Sequence, residues 1–441
     1  MDLQTELDSG NQCYINKQYE QAIIHYDSIL AVHPENYIVC HNKGLSLIKL
    51  DRLKEAIPIL QLPMNNGYAE SWLAYGSILR LLGKYKEALV AFANVFLLNI
   101  DHSEAYSNYA NTLREFGRPD IAIHFLELAT KLNPNDMTAR LNLCIAHLMN
   151  GDFTKGWEYY DARWFYESDN SFKPILDGEE YNGTQDIKNK IVFVYVEQGL
   201  GDCVQFGRYL NLLIDKGAHI TLLCRPPLER FFAYNYPNVK IHNQQELTYH
   251  YHVPLMELPK CFNTTIDTIP PVNYSIGDDI VEYWKNRLGP TTKKRIGIVW
   301  NSNRANFINR FKNIDLPTLL KIKSDDVELI SLEFDASPEQ TKLLQDNGVI
   351  VYGNELGDFY SVAGLMKNLD LVISIDTATV HLSASIGVPT WTLLSDYACD
   401  WRWFTNRNDT PFYTCMRLFR QTDGTWDRVI ESVNEELKKM V

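Results

Sequence analysis

Three short segments combine glycine, carboxylate, basic and imidazole side chains at spacings suited to holding an anion beside a base. The first is Glu197-Gln198-Gly199-Leu200-Gly201-Asp202. Gly199 and Gly201 permit a tight turn and a close approach of a ligand to the backbone. Asp202 follows at the expected start of a helix. There it is either a general base for an attacking hydroxyl or a helix-capping carboxylate. No third glycine completes a dinucleotide-binding fingerprint. The second segment holds Asn301-Ser302-Asn303-Arg304 and then Asn309-Arg310-Phe311-Lys312-Asn313. Arg310 and Lys312 are the residue types that neutralise a diphosphate; the alternative is a solvated basic loop. The third is Asp376-Thr377-Ala378-Thr379-Val380-His381. Here a strand ends, Asp376 or Thr377 caps, and the helix that begins offers N–H groups and a dipole favourable to phosphate. His381, one turn in, either donates to a phosphate or sugar oxygen or packs into the core.

These segments need elements that bring them together. Apolar runs bounded by Gly, Asp and Asn predict strands at Ile191–Val196, His219–Cys224 and Asn238–Ile241, with helices over Asp202–Lys216 and Pro227–Tyr234. Residues Val253–Tyr274 read as irregular. A second series follows at Arg295–Trp300, Val327–Leu332, Val349–Tyr352, Leu371–Ile375 and Thr390–Leu394. Continuous apolar runs of this kind suit parallel sheets covered on both faces. Ligands of such sheets sit beyond the carboxyl ends of the strands, where all three segments fall. The aromatic run Trp401, Trp403, Phe404, Phe412 and Tyr413 either stacks a base or sugar or forms a core cluster.

The first third has a different pattern. Gly10 and Gly44 are 34 residues apart, as are Ala22 and Ala56, and Ala88 and Ala122; Gly44 and Gly76, like Ala56 and Ala88, are 32 apart. Each of these alanines is followed four residues later by Tyr26, Leu60, Phe92 or Leu126. A small residue lets two helices approach, and the large one a turn later fills the gap. The pattern resembles the tetratricopeptide repeat, a helix pair recurring about every 34 residues. A fifth unit from about Met137 carries Gly156 at the alanine position. Repeat 2 has Pro58 inside its second helix. The resulting solenoid serves either as a groove for a peptide or protein partner or as a rigid spacer.

Composition narrows the classes. The chain has 441 residues and a net charge of −13, with 45% hydrophobic and 22% charged residues. That charge argues against broad nucleic-acid or anionic-membrane binding. No apolar run reaches the ~18 residues of a transmembrane segment. The polar N-terminus MDLQTELDSG lacks the features of a signal peptide, so a cytoplasmic location is expected. Eight scattered cysteines without a Cys-x-x-Cys pair suggest neither a disulfide framework nor a metal site.

The segment IDTATVHLSASIGVPTWTLL, the GLGD turn and the WNSNRANFINRFK loop resemble heptosyltransferases of glycosyltransferase family 9, and more closely the bacterial TPR proteins that carry such a domain. DWRWF at Asp400, DTPFYT at Asp409 and MRLFRQ at Met416 add to the resemblance, which covers roughly residues 150–441. It implies an all-α TPR solenoid followed by α/β tandem Rossmann-type lobes of the GT-B kind. The expected boundaries are 1–168 for the repeats, 169–189 for a linker or edge segment, 190–285 for an acceptor-side lobe and 286–441 for a donor-side lobe. The implied activity is inverting, metal-independent transfer of a heptose-like or other sugar from a nucleotide-diphospho-sugar, without a further cofactor. The acceptor would be the hydroxyl of a protein or glycan, for which the TPR groove offers a holding surface. Carried over by position, Asp202 matches the base and Lys312 the residue that meets the donor phosphates. Thr377, Ala378 and His381 match the phosphate-binding turn, and Glu333 is a candidate for the ribose hydroxyls. The alternative is a TPR adaptor whose transferase domain no longer catalyses.

Overall fold

The computed structural model describes residues 3–165, 173–242, 248–302, 309–397, 399–422 and 424–440, leaving aside the side chains of Asn309 and Arg310. The chain divides into two compact units, Met1–His147 and Leu148–Val441.

The first unit is all-helical. Helices run over Leu3–Ile15, Tyr19–Leu30, Tyr37–Lys49, Leu53–Asn65, Ala69–Leu81, Tyr85–Leu98, Ser103–Glu115 and Pro119–Leu132, and Met137–Met149 crosses its boundary. The spacing of small and large residues has a direct steric meaning. A Cβ added at Gly10 would lie 2.7 Å from the Tyr26 ring, one at Gly44 2.6 Å from Leu60, and one at Gly76 2.6 Å from Phe92. Each glycine on the first helix of a pair therefore receives the large residue of the second. Ala22, Ala56, Ala88 and Ala122 are fully buried. The tight turns use left-handed backbone at Gly83 and Gly117 (φ 71° and 79°), and Lys17 and Asp51 take the same conformation at the corresponding places (φ 62° and 58°). Helix Leu53–Asn65 continues through Pro58 and Pro63. The unit is a TPR-like solenoid.

The second unit opens with helix Phe153–Glu158 and a 3-10 turn over Tyr160–Phe165. Gly156, on the second helix of the pair, packs directly on Leu148 of the first. Phe153 lies 5.7 Å from Trp401 and 6.2 Å from Phe412, and Trp157 lies 5.9 Å from Trp401. The aromatic run is thus core: Trp401, Trp403, Phe404, Phe412 and Tyr413 are all buried.

Two parallel sheets follow. The first contains β1 (Glu179–Glu180), β2 (Ile191–Tyr195), β3 (His219–Leu223), β4 (Lys240–Ile241) and β5 (Tyr251–Pro254), in the order β1-β5-β2-β3-β4. The second contains β6 (Lys294–Val299), β7 (Val327–Ser331), β8 (Ile350–Val351), β9 (Leu371–Ile375), β10 (Thr390–Leu394) and β11 (Met416–Arg420), in the order β11-β10-β9-β6-β7-β8. Both fit the expected α/β class. β5 occupies the border of the stretch read as irregular, and β1 pairs with it along the edge. In the second sheet the order reverses between β6 and β9, the switch point at which doubly wound sheets bind ligands. Its core combines Ile296, Ile298, Leu329, Leu371, Ile373 and Leu393 with helix Asp427–Leu437 through Ile430 and Val433.

The sheets meet through helices. Helix Leu200–Phe206, after β2, packs on helix Ala378–Ser385, after β9. A Cβ at Gly201 would stand 2.8 Å from His381 Cδ2 and 3.1 Å from the Ala378 Cα. Only glycine allows this approach without displacement. Buried Arg208 adds a second tie, donating to the carbonyls of Pro270 at 3.1 Å and Phe412 at 3.0 Å.

Candidate functional site

A cavity of about 440 Å³ opens where loops of the two sheets face each other. The turn after β2 contributes Gly199, Gly201 and Asp202; Asn301 and Ser302 follow β6, Glu333 and Phe334 follow β7, and Asp376, Thr377, Ala378 and His381 follow β9. Lys312, Asp400 and Arg402 complete its charged lining. The chain thus brings Asp202, Lys312, Glu333 and the Asp376–His381 turn to one place. The Arg310 side chain lies outside the described residues.

Asp202 is not the N-cap. Gly199 holds that position, and Asp202 sits three residues later, where Oδ2 accepts from the Gly199 N–H at 2.9 Å. Its other oxygen, Oδ1, accepts from Arg402 Nη2. Arg402 is buried and uses its whole fork: Nη1 donates to both oxygens of Asp400 at 2.9 Å, and Nε to Gln205 Oε1 at 2.6 Å. Burial opposes the guanidinium charge, but Asp400 and Asp202 outweigh it and hold Arg402 above the ordinary arginine range. Burial likewise opposes ionisation of Asp400, and Arg402 reverses this, so Asp400 titrates below the ordinary carboxylate range.

On the other side, Lys312 Nζ lies 2.8 Å from Asp376 Oδ2. Burial disfavours the lysine charge, yet Asp376 more than offsets it and Lys312 is raised above the ordinary lysine range. The charges form an alternating row: Asp202, Arg402, Asp400, Lys312, Asp376. Asp376 therefore answers the lysine and does not cap. Thr377 is the N-cap of helix Ala378–Ser385, but its side chain makes no capping bond and lies 3.2 Å from Ser374 Oγ. The N-terminal turn of that helix is presented to the cavity, where anions are favoured.

Two further groups have shifted protonation. Glu333 accepts from the Asn301 N–H at 3.0 Å, and burial pushes its carboxyl up to about 7 against that hydrogen bond. His381 is buried, 3.0 Å from the Tyr413 hydroxyl through Nδ1 and stacked on Trp403 at 5.4 Å. Burial, reinforced by Arg402, lowers it to about 4. At neutral pH it is an uncharged hydrogen-bonding group. Residue-type reasoning missed Arg402 and Asp400; the available signal was the Asp-x-Arg spacing within DWRWF.

Residues 103–136 match the tetratricopeptide repeat model. Protein FlbA of Caulobacter vibrioides is 26% identical over 452 residues, an alignment that takes in 92% of this chain and 73% of FlbA. That match extends across both units. The STIP1 homolog of Dictyostelium discoideum is 25% identical over 167 residues, 36% of this chain and 28% of that protein. Among solved structures, a crystal structure of MamA is 19% identical and covers 40% of this chain and 97% of its own, with a TM-score of 0.33. No helix among the described residues is long and apolar enough to cross a membrane, and no group of three or more His, Cys, Asp or Glu among them is placed to hold a metal ion.

Proposed function

We propose that the second unit is a glycosyltransferase of the GT-B, heptosyltransferase-like kind, taking a nucleotide-diphospho-sugar as donor. The observation that carries this reading is the convergence of Asp202, Lys312 and the N-terminal turn of helix Ala378–Ser385 on one cavity at the switch point of a doubly wound sheet. The diphosphate would lie against Lys312 and that turn, where a positive charge and backbone N–H groups stabilise the leaving group. Glu333, near the carboxyl end of β7, would meet the ribose. The acceptor oxygen bonds to the anomeric carbon as its proton passes to Asp202, and the bond from that carbon to the diphosphate breaks with its electron pair on the departing oxygen. This single displacement inverts the anomeric centre. The TPR-like solenoid would hold a protein acceptor or partner.

A specific observation favours a second reading. The two described cations of the cavity, Lys312 and Arg402, both have carboxylate partners, the arrangement of a self-satisfied site in a non-catalytic TPR adaptor. A thermal-shift screen of the full chain against nucleotide-diphospho-sugars separates the two, because a ligand that binds the native state raises its melting temperature by mass action. The transferase reading expects stabilisation by one class of nucleotide sugar beyond that given by its nucleoside. A flat screen supports the adaptor.

A further inference from the structure

We propose that Arg402 is a positioning residue: anchored on Asp400 and Gln205, its guanidinium holds the Asp202 carboxylate in the orientation from which it faces the acceptor. The function of that orientation rests on the transferase reading; the positioning itself does not. Asp202 belongs to the turn after β2, whereas Arg402 belongs to the segment between β10 and β11. The guanidinium therefore links the two sheets at the cavity. Three features single it out as more than a surface ion pair. The arginine side chain is only 6% exposed. Its anchors come from both sides, with Asp400 two residues before it and Gln205 one turn beyond Asp202 on the same helix. And Asp202 has its second oxygen fixed by the Gly199 N–H, so the carboxylate is held at both ends and has no free rotation about its last bond. A fork of fixed planar geometry does this; a lysine at the same place supplies charge without the fork.

The Gly199 amide is a built-in reporter, because its N–H donates to the oxygen that Arg402 helps to place. Hydrogen exchange at Gly199 and the following helix, measured on the full chain without any donor, reads the positioning directly. In Arg402→Ala the Gly199 amide should exchange faster by roughly tenfold or more, and millimolar guanidinium ion, well below denaturing concentrations, should restore its protection by refilling the vacated fork. Arg402→Ala leaves Asp400 buried without its partner and risks misfolding, so the double variant Arg402→Ala/Asp400→Asn carries the same test with that charge removed. Where transfer is measured, both variants should lose kcat by roughly 10²-fold, the scale of a small misplacement of a reacting group, with donor KM little changed and kcat recovered by guanidinium. Unchanged Gly199 exchange in the folded variants, or accelerated exchange that guanidinium does not reverse, overturns the proposal. If the exchange results come out as expected and the wild-type protein transfers no sugar, the positioning stands and the transferase reading falls.

Discussion

Arg402 Nη2 lies 2.5 Å from Asp202 Oδ1 while Nη1 of the same guanidinium bonds Asp400 at 2.9 Å, so one buried cation carries two carboxylates from opposite sides of the cavity. A capping aspartate would be replaceable by asparagine at almost no cost in stability. Asp202 is bound on both oxygens, and this changes the expectation. Asp202→Asn keeps an acceptor for Gly199 but removes the charge facing Arg402. It should cost roughly 1.5–3 kcal/mol in denaturant unfolding, the range for a hydrogen bond to a charged group. If the chain transfers sugar, the rate should fall by about 10²–10⁴-fold, the contribution of a general base, while donor binding survives. An active enzyme indifferent to the substitution would remove Asp202 as base.

Gly201 provides a test of the joint between the sheets. The added methyl of Gly201→Ala meets His381 and the Ala378 backbone at 2.8 and 3.1 Å, and the backbone contact cannot yield by a rotamer change. Overpacking of this kind costs about 1–3 kcal/mol. Thermal unfolding should show the loss. An unchanged melting temperature would mean that the two helices are not in close contact.

Glu333 gives a pH signature. Its carboxyl moves from an ordinary 4.5 to about 7 on folding, chiefly through burial. The protonated form is favoured in the native state, so the stability it contributes is complete below 4.5 and is lost as pH rises through 7. Glu333→Gln keeps an acceptor for the Asn301 N–H and never ionises. The variant should gain roughly 3 kcal/mol on wild type between the two ends of that window, at 1.36 kcal/mol per unit. Denaturant melts across the range check this, and parallel wild-type and variant curves would show that Glu333 does not titrate there.

In the solenoid, Ala88 is fully buried and Phe92, one turn later, fills the space above Gly76. Ala88→Leu should destabilise the first unit by about 1–3 kcal/mol through overpacking. Circular dichroism melts of the full chain report it, and a neutral result would contradict the helix-pair packing.

The sequence made these features legible to different degrees, for physical reasons. The repeat was readable because the contact of Gly76 with Phe92 is local and recurs with a fixed period. β2, β6, β9 and β10 were readable because strands buried on both faces must be continuously apolar. β5 escaped because Tyr251-His252-Val253-Pro254 is short and carries a histidine and a proline. β11, Met416–Arg420, places Arg417 and Arg420 among only three apolar residues, too few for a continuous apolar run. The three cavity segments were located from their places after strands, since parallel topology brings such loops together. Their partners were not. Arg402 lies 200 residues from Asp202 in the chain; the Asp-x-Arg spacing marks its local bond to Asp400, whereas the contact with Asp202 is made only by folding. Lys312 lies in the cavity lining, and of the two cap candidates in the sequence Thr377 takes the cap position, leaving Asp376 to pair with the lysine.

That pair bears on the proposal that this cavity receives a nucleoside diphosphate group. On the transferase reading, Lys312 would exchange Asp376 for a donor phosphate. Isothermal titration of the full chain with a panel of nucleoside diphosphates and their parent nucleosides, repeated on Lys312→Ala, measures this most directly. A diphosphate should bind the wild-type protein, and the substitution should weaken it by roughly 10- to 150-fold, the equivalent of ~1.5–3 kcal/mol for one charge-assisted hydrogen bond, with nucleoside binding nearly unchanged. No diphosphate binding to the wild-type chain, or equal losses for diphosphate and nucleoside in the variant, would contradict it.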